Sequence, residues 1–249
     1  MKNYQLYPIG STSAIRYAVD RLQAKGFDTV DHPTPEVTHL ILDVPSFAPD
    51  GMLRGGGAVE KTLETLPPYI TVVGGNLAHP ALEGYRKMDL LQDQLYLAEN
   101  AQITAECALE IAAPLLPVTI SQATVLIIGW GRIGKCLGQL LNRIGCDVTI
   151  AARKASDMAM ITALGLRSQK PEDIRDLSRY RILFNTAPAA VLEPEVLKND
   201  HCIKIDLASK KGLDCADAVW ARGLPGIHAP ETSGNLIART FLRLMKEEK

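Results

Sequence analysis

Residues 124–134 read T-V-L-I-I-G-W-G-R-I-G, and this stretch decides the fold. A run of apolar, largely β-branched residues leads into Gly129, Gly131 and Gly134, which have the spacing G-x-G-x-x-G, and a helical pattern follows. In this context the first glycine permits a tight turn, the second lets a pyrophosphate approach the backbone, and the third lets the helix pack closely on the sheet. The helix N-terminus then attracts phosphate through its N–H groups and its dipole. The stretch therefore predicts a dinucleotide-binding Rossmann domain.

Strand and helix patterns alternate on both sides of this stretch. After its start we expect strands at 124–128, 147–151, 181–185, 202–207 and 219–221, and helices at 132–144, 155–164, 193–198 and 232–246. Before it we expect strands at 5–9, 27–30, 39–44 and 69–73, and helices at 14–25 and 59–66. The predicted fold class is α/β, with a smaller α/β domain at 1–100, a bridging helix and linker at 101–120, and a C-terminal Rossmann domain, a doubly wound parallel sheet, at 121–249.

Three segments have less regular patterns. Residues 85–97 are expected to hold a short helix, and residues 95–98 a strand. Residues 103–115 are expected to form the bridging helix, with Thr104 as its N-cap. Residues 223–230 are expected to form a rigid loop before the last helix, because they contain two glycines and two prolines.

The composition is that of a globular protein, with 47% hydrophobic residues, 22% charged residues and a formal net charge of -1 over 249 residues. Such a charge gives no global attraction to nucleic acid or to an anionic membrane, so neither is an expected partner. The first ten residues lack the pattern of a signal peptide, and no apolar run approaches the about 20 residues that span a bilayer. Five scattered cysteines without a C-x-x-C pair suggest reduced thiols and a cytoplasmic protein. The histidines show no metal-ligand spacing, so no metal is predicted.

The end of the second Rossmann strand favours NADP over NAD. An acidic residue at that position would bind the ribose 2′-hydroxyl of NAD, whereas this strand ends in Ala151-Ala152-Arg153-Lys154. The Arg153 guanidinium can bind phosphate oxygens in pairs, and a 2′-phosphate would not be repelled here. The alternative is that Arg153 and Lys154 only begin a solvated helix.

Polar residues also follow the next two strands, at the sheet edge where open α/β proteins bind ligands. Asn185 and Thr186 can hydrogen-bond ribose or nicotinamide, and Ser209 and Lys210 are candidate catalytic residues near the nicotinamide. Asp206 is equally compatible with a catalytic role and with a role in the turn. The residues assigned to the cofactor are Gly129, Trp130, Gly131, Arg132, Ile133, Gly134, Ala152, Arg153, Lys154, Asn185, Thr186, Ala187, Pro188, Leu207 and Ala208.

Taken together, these motifs resemble the dipicolinate synthase A-subunit family from about residue 100 onward. The matching stretches are T-A-E at 104–106, G-W-G-R-I-G at 129–134, A-A-R at 151–153, F-N-T-A-P at 184–188, I-D-L-A-S-K at 205–210 and G-L-P-G-I-H-A-P-E-T-S-G at 223–234. The resemblance implies NADP-linked oxidation of a cyclic tetrahydropyridine dicarboxylate to pyridine-2,6-dicarboxylate. It also implies a small flavoprotein-like partner, the B subunit of the same synthase, and a spore-forming bacterium. A homo-oligomer is expected.

A dicarboxylate substrate requires cations or clustered N–H groups. The candidates are Ser11 and Thr12 at the start of the first helix, Arg54 beside three glycines, and Thr232 and Ser233 at the start of the last helix. We expect the first three to face the Rossmann domain across a cleft. His228 is a candidate proton relay, and the alternative for a single loop histidine is a structural role.

Two other functions remain open. D-2-hydroxyacid dehydrogenases have the same two-domain plan, but they use an arginine after a strand where this chain has Ser209-Lys210-Lys211. They also use a glutamate with a late histidine, and the sequence shows no clear glutamate to go with His228. The third possibility is a non-catalytic NADP-binding protein, because no acid/base pair is evident.

Overall fold

The structure, a computed structural model, describes residues 4–198 and 201–247. It divides into two compact units. The first comprises Met1–Asn100 together with Pro225–Lys249, and the second comprises Ala101–Leu224. The division at residue 100 coincides with the predicted boundary, whereas the C-terminal segment belongs to the first unit and not to the Rossmann domain.

The first unit contains a five-stranded sheet in the order β2-β1-β3-β4-β5, and every neighbouring pair is parallel. The strand β3 is completely buried, because helices cover both faces of such a sheet. Thr12 caps α1 by accepting a hydrogen bond from the Ile15 amide. The elements are β1 (Gln5–Ile9), α1 (Ser13–Gln23), β2 (Asp28–Thr29), β3 (His39–Leu42), α2 (Val59–Leu63), β4 (Thr71–Gly74) and β5 (Arg86–Asp89), followed by α3 (Gln94–Ala112), which continues into the second unit.

The second unit is a Rossmann domain, with a six-stranded parallel sheet in the order β11-β10-β9-β6-β7-β8. The chain runs from β6 to one side of the sheet and then returns to β9 on the other side, which places the topological switch point between these two strands. The elements are β6 (Thr124–Ile128), α4 (Arg132–Ile144), β7 (Asp147–Ala151), α5 (Ala155–Ala163), β8 (Arg167–Gln169), β9 (Ile182–Asn185), α6 (Pro194–Leu197), β10 (Ile203–Asp206) and β11 (Val219–Trp220). The predicted α/β fold class is confirmed.

The last two helices are α7 (Leu224–His228) and α8 (Pro230–Glu247). A Cβ on Gly234 of α8 would lie 2.4 Å from the carbonyl oxygen of Ala14, so this helix packs closely on α1. Farther along α8, the Phe241 ring meets the rings of His39 and Phe27 edge-on, at centroid distances of 5.4 and 5.6 Å. The helix therefore belongs to the core of the first unit. Its sequence shows an apolar face but does not show which sheet that face covers.

Three local predictions were wrong. Residues 95–98 lie within α3, which begins at Gln94, so Thr104 is a buried residue inside the helix and not its N-cap. The short helix expected within residues 85–97 is present as a 3-10 helix at Leu90–Gln92, and the strand β5 precedes it. Residues 224–228 form the short helix α7 in place of a loop, and Pro225 is compatible with it because proline is tolerated in a first helical turn. No helix in the described ranges is both long and apolar enough to cross a bilayer.

Candidate cofactor site

The glycine turn after β6 has the geometry that a dinucleotide requires. Gly129 has a φ of +102°, and a Cβ there would lie 2.7 Å from Thr186 Oγ1. A Cβ on Gly134 would lie 2.3 Å from the Gly129 carbonyl oxygen, so the helix could not pack in its place. A Cβ on Gly131 would meet no atom within 4 Å. Two glycines therefore form the turn, and Gly131 leaves its outer side open to a ligand at the N-terminus of α4.

A cavity of about 900 Å³ opens at the carboxyl ends of β6, β7 and β9. This is the sheet edge and the switch point at which open α/β folds bind their ligands. The predicted cofactor residues that line it are Gly129, Trp130, Gly131, Ala152, Arg153, Lys154, Ala187 and Pro188. The predicted residues that do not line it are Arg132, Ile133, Gly134, Asn185, Thr186, Leu207 and Ala208.

Charged side chains surround the cavity where β7 ends. Arg153 and Lys154 are exposed, and the exposed Arg175 adds a third cation from the segment after β8. The residue directly after β7, where an acidic side chain would select NAD, is Ala152, which is buried. The sequence pattern missed Arg175, and it also missed the acidic lining residues Asp157, Glu172, Glu193 and Glu195.

Asn185 and Thr186 are bonded to protein atoms and do not extend into the cavity. The Asn185 amide nitrogen donates to the Ala187 carbonyl and to Asp206 Oδ1, at 2.9 Å each, and its oxygen accepts from the Ala187 amide at 3.1 Å. Thr186 Oγ1 donates to the Ile128 carbonyl at 2.8 Å. These side chains hold the turn that forms the cavity wall, and their expected contacts with ribose or nicotinamide stay a prediction.

Asp206 has the turn role and not the catalytic role. Its carboxylate is completely buried and accepts hydrogen bonds from the backbone amides of Ala208, Gly212 and Leu213, at 2.6–3.0 Å, as well as from Asn185. Ser209 and Lys210 lie on the loop that these bonds hold, and both are exposed. Leu207 and Ala208, which begin this loop, are buried.

The first unit has a donor cluster at the carboxyl ends of β1 and β3, the switch point of its own sheet. The Ser11 amide donates to Asp43 Oδ2 at 2.9 Å, and Thr12 Oγ1 donates to Asp43 Oδ1 at 2.5 Å. The Ser11 hydroxyl donates to the Arg54 carbonyl at 3.0 Å. Three predicted substrate residues are thus neighbours. The buried Asp43 that joins Ser11 to Thr12 was not predicted, because only the pairing of β1 with β3 brings it close.

The other candidates from the C-terminal segment are placed differently. Thr232 is exposed in a groove between α1 and α8, which it shares with Arg21 and Arg239. Ser233, by contrast, is buried, and only 5% of its surface is exposed. His228 ends α7 and is half-buried.

Comparison with known proteins identifies relatives across both units. No protein-family model matches the chain. Its sequence is 26% identical to the A subunit of dipicolinate synthase from Bacillus subtilis (strain 168), over 89% of this chain and 86% of that protein. The crystal structure of the corresponding A subunit from Bacillus halodurans matches the fold with a TM-score of 0.83, over 97% of each chain, at 22% identity. This chain is a relative of the dipicolinate synthase A subunit.

The likeness to this dipicolinate synthase family extends farther than the motifs indicated, since they identified it only from about residue 100 onward. Both α/β units of the present chain lie within the matched region. The same fold occurs in D-lactate dehydrogenase of Escherichia coli, with a TM-score of 0.56 over 98% of this chain and 96% of that one, at 13% identity. The synthase and the dehydrogenases therefore share their architecture, and the fold alone does not separate their activities.

The cysteines of this dipicolinate synthase relative are free thiols, of which Cys107, Cys146 and Cys202 are buried and Cys136 and Cys215 are half-buried. Burial raises the pKa of Cys107 to about 11 and that of Cys202 to about 12, which keeps both sulfurs protonated and unreactive. Across residues 4–198 and 201–247, no group of three or more His, Cys, Asp and Glu side chains could hold a metal ion.

Proposed function

We propose that this chain is an NADP-linked oxidoreductase with the activity that its relative, dipicolinate synthase, has by name. In this proposal it oxidises a cyclic tetrahydropyridine dicarboxylate toward pyridine-2,6-dicarboxylate: the ring hydroxyl left by cyclisation departs as water, and removal of one hydride and one proton then completes the aromatic ring. The observation that carries the proposal is the cavity beside Gly131, in a chain whose sequence matches that synthase over 89% of its length. Bound NADP would supply the hydride acceptor for such an oxidation.

The cavity residues fit this cofactor. The open side of Gly131 and the N–H groups at the start of α4 suit a pyrophosphate. The cations Arg153, Lys154 and Arg175 suit a 2′-phosphate, which an acidic residue at the end of β7 would repel. The fit therefore favours NADP over NAD.

For a carboxylate substrate, the first unit offers the exposed Arg54 cation beside Ser11 and Thr12, whose N–H and O–H groups already donate to Asp43 and to the Arg54 carbonyl. Ser11 and Thr12 directly precede α1, and the Arg54 backbone is hydrogen-bonded to Ser11. We assign substrate carboxylates to these residues, with Thr232 and Ser233 as further candidates. Ser209, Lys210 and His228 are the proposed catalytic residues, and His228 would relay the proton that leaves the substrate.

The test incubates the purified protein with NADP and the cyclised product of aspartate semialdehyde and pyruvate. Formation of pyridine dicarboxylate with reduction of NADP supports the proposal. Reduction of a 2-ketoacid by NADPH would identify a D-2-hydroxyacid dehydrogenase instead, an alternative that the shared fold keeps in view. Binding of NADP without either reaction would identify a non-catalytic NADP-binding protein.

Variants distinguish substrate residues from cofactor residues in the same assay. Ser209→Ala and Thr232→Ala should lower turnover while the affinity for NADP stays within about threefold, because neither side chain lines the cofactor cavity. Ser11→Ala should behave in the same way. A parallel loss of turnover and NADP affinity would contradict these assignments.

A partner is proposed because the matched relative is by name one component of a larger synthase. We propose a small flavoprotein-like partner, the B subunit of the synthase, together with homo-oligomeric assembly and a cytoplasmic location. Size-exclusion chromatography with light scattering, alone and with the candidate partner, measures both assemblies.

A further inference from the structure

The carboxylate of Asp206 joins two loops of the second unit. Its Oδ1 accepts hydrogen bonds from the Asn185 side chain at 2.9 Å and from the Ala208 amide at 3.0 Å. Its Oδ2 accepts from the amides of Gly212 and Leu213 at 2.6 and 3.0 Å. Two N–H donors on each oxygen satisfy a charge that is completely buried. The loop after β10 is therefore bonded to the turn after β9 through one side chain.

This loop also packs directly on the wall of the cofactor cavity. A Cβ on Gly212 would lie 2.7 Å from the Ala189 carbonyl oxygen, 2.8 Å from the Ala187 carbonyl oxygen and 2.5 Å from the Asn185 amide nitrogen. Residues 187–190 line the cavity. Backbone atoms of residue 212 thus support that wall from behind, with no space for even a methyl group between them.

The supported wall lies on the β9 side of the switch point, whereas Arg153 lies at the end of β7 on the other side. A dinucleotide placed across such a switch point has one nucleotide on each half of the sheet. With the 2′-phosphate at Arg153, the half formed by β9 and β10 receives the nicotinamide nucleotide.

We infer that Asp206 is the positioning residue for the nicotinamide half of the cofactor site: through Asn185 and Gly212 it fixes the wall formed by residues 187–190. This inference rests on the proposed cofactor, which it deepens. Asp206 does not line the cavity and acts only through the residues that do. Replacement by asparagine keeps the size of the side chain. Its NH2 group, however, would point N–H bonds at backbone N–H groups that need an acceptor. The loop after β10 would therefore lose hydrogen bonds that hold it in place.

The test measures two ligands by calorimetry, on the full-length protein and its variants. NADP spans both halves of the site, whereas 2′-phospho-ADP-ribose lacks the nicotinamide. We expect Asp206→Asn to weaken NADP about tenfold or more, and to leave 2′-phospho-ADP-ribose within about twofold of the parent protein. A general loss of folding would weaken both ligands alike, so the difference between them is the decisive readout.

Gly212→Ala is the second variant, because it keeps the Asp206 carboxylate and its backbone N–H donors, while the added Cβ pushes on the wall and on the Asn185 amide nitrogen. It should show the same difference between the two ligands, and it decides the question alone if Asp206→Asn does not fold. The matched control is Asp214→Asn, a nearby exposed carboxylate, which should leave both affinities within about twofold. Unchanged NADP affinity in both test variants, or equal loss of both ligands, would overturn the inference. Failure of the parent protein to bind either ligand would instead overturn the cofactor site itself.

Discussion

Among the three glycines of the turn, Gly131 is the one at which the packing of the protein itself has room for a Cβ. Its φ of -78° suits any L-residue, and a Cβ would meet nothing within 4 Å. We therefore expect Gly131→Val to abolish NADP binding without unfolding the chain, because the added side chain would occupy the pyrophosphate position. Thermal melting with and without NADP measures both effects. A cofactor-induced rise in the Tm of the variant equal to that of the parent protein would contradict the assignment.

Arg153 is the residue that should select the phosphorylated cofactor. Each hydrogen bond to a charged group contributes about 1.5–3 kcal/mol, so Arg153→Ala should weaken NADP about tenfold or more and leave NAD almost unchanged. Calorimetry with both cofactors checks this, and Arg181→Ala serves as the control, since Arg181 is exposed at the opposite end of β9. Equal affinity of the parent protein for NADP and NAD would count against NADP selection altogether.

At the scale of elements, the contact between α1 and α8 depends on Gly234. Alanine in a helix is normally about 1 kcal/mol more favourable than glycine. Here a Cβ would lie 2.4 Å from the Ala14 carbonyl oxygen and 2.9 Å from the Ala18 amide nitrogen, and backbone atoms cannot easily move away. We expect Gly234→Ala to lower the free energy of unfolding by about 1–3 kcal/mol.

Urea unfolding measures this change. Lys246→Ala, an exposed change on the same helix, should shift the free energy of unfolding by no more than about 0.5 kcal/mol. A Gly234→Ala protein that is more stable than its parent would show that α8 can move away from α1 at little cost.

The burial of His39 should make the first unit sensitive to acid. His39 lies on β3 and is 5% exposed, with the rings of Tyr4 and Phe241 edge-on to it. Burial, with a smaller contribution from the Arg86 charge, lowers its pKa from 6.5 to about 4. The unfolded chain therefore takes up a proton near pH 6.5, which the folded chain does not take up until the pH falls to about 4.

Stability should accordingly be complete above pH 6.5 and fall as the pH decreases toward about 4. The total loss from this one group is on the order of 3 kcal/mol. His39→Phe, which retains a ring, should flatten the dependence of the free energy of unfolding on pH across this window. His32→Phe is the control, because His32 is exposed. An unchanged pH dependence in His39→Phe would assign the acid sensitivity to other groups.

Elements could be predicted where local chemistry alone determines them. The bounds of β6, α4 and β7 are those expected, because a buried apolar run, a glycine turn and the left-handed Gly145 at the helix end mark them. The strand β8 was missed, since its sequence R-S-Q has no apolar pattern and it pairs only at the sheet edge.

In the candidate site, too, residues that belong to a local motif could be predicted, and residues that depend on tertiary structure could not. The glycine turn, Arg153 and Lys154 were found from a motif and its spacing. Arg175 and Asp43 reach their positions only through strand pairing and loops that no local pattern reveals. Asn185 was correctly placed at the sheet edge, but its bond to Asp206 depends on the pairing of β9 with β10.

At the scale of the whole molecule, the chain leaves the first unit near residue 100 and returns to it near residue 225. Removal of residues 225–249 should therefore unfold the first unit, because α8 and its Phe241 contact are lost, and leave the second unit folded and able to bind NADP. Limited proteolysis with mass spectrometry should show residues 101–224 protected and residues 1–100 degraded. The full chain, as the control, should protect both. Protection of both units in the shortened chain would contradict the division.

The return of α8 to the first sheet also determines the order in which the protein can be completed during synthesis. The ribosome makes β1 to β5 first, yet their sheet lacks one covering helix until residues 230–247 have emerged. The Rossmann unit, made entirely in between, has all of its own strands earlier. Domains fold as units while the chain is being made. The unit that is translated first therefore completes its folding last. Until α8 has been made, the apolar surface around His39 stays exposed to solvent.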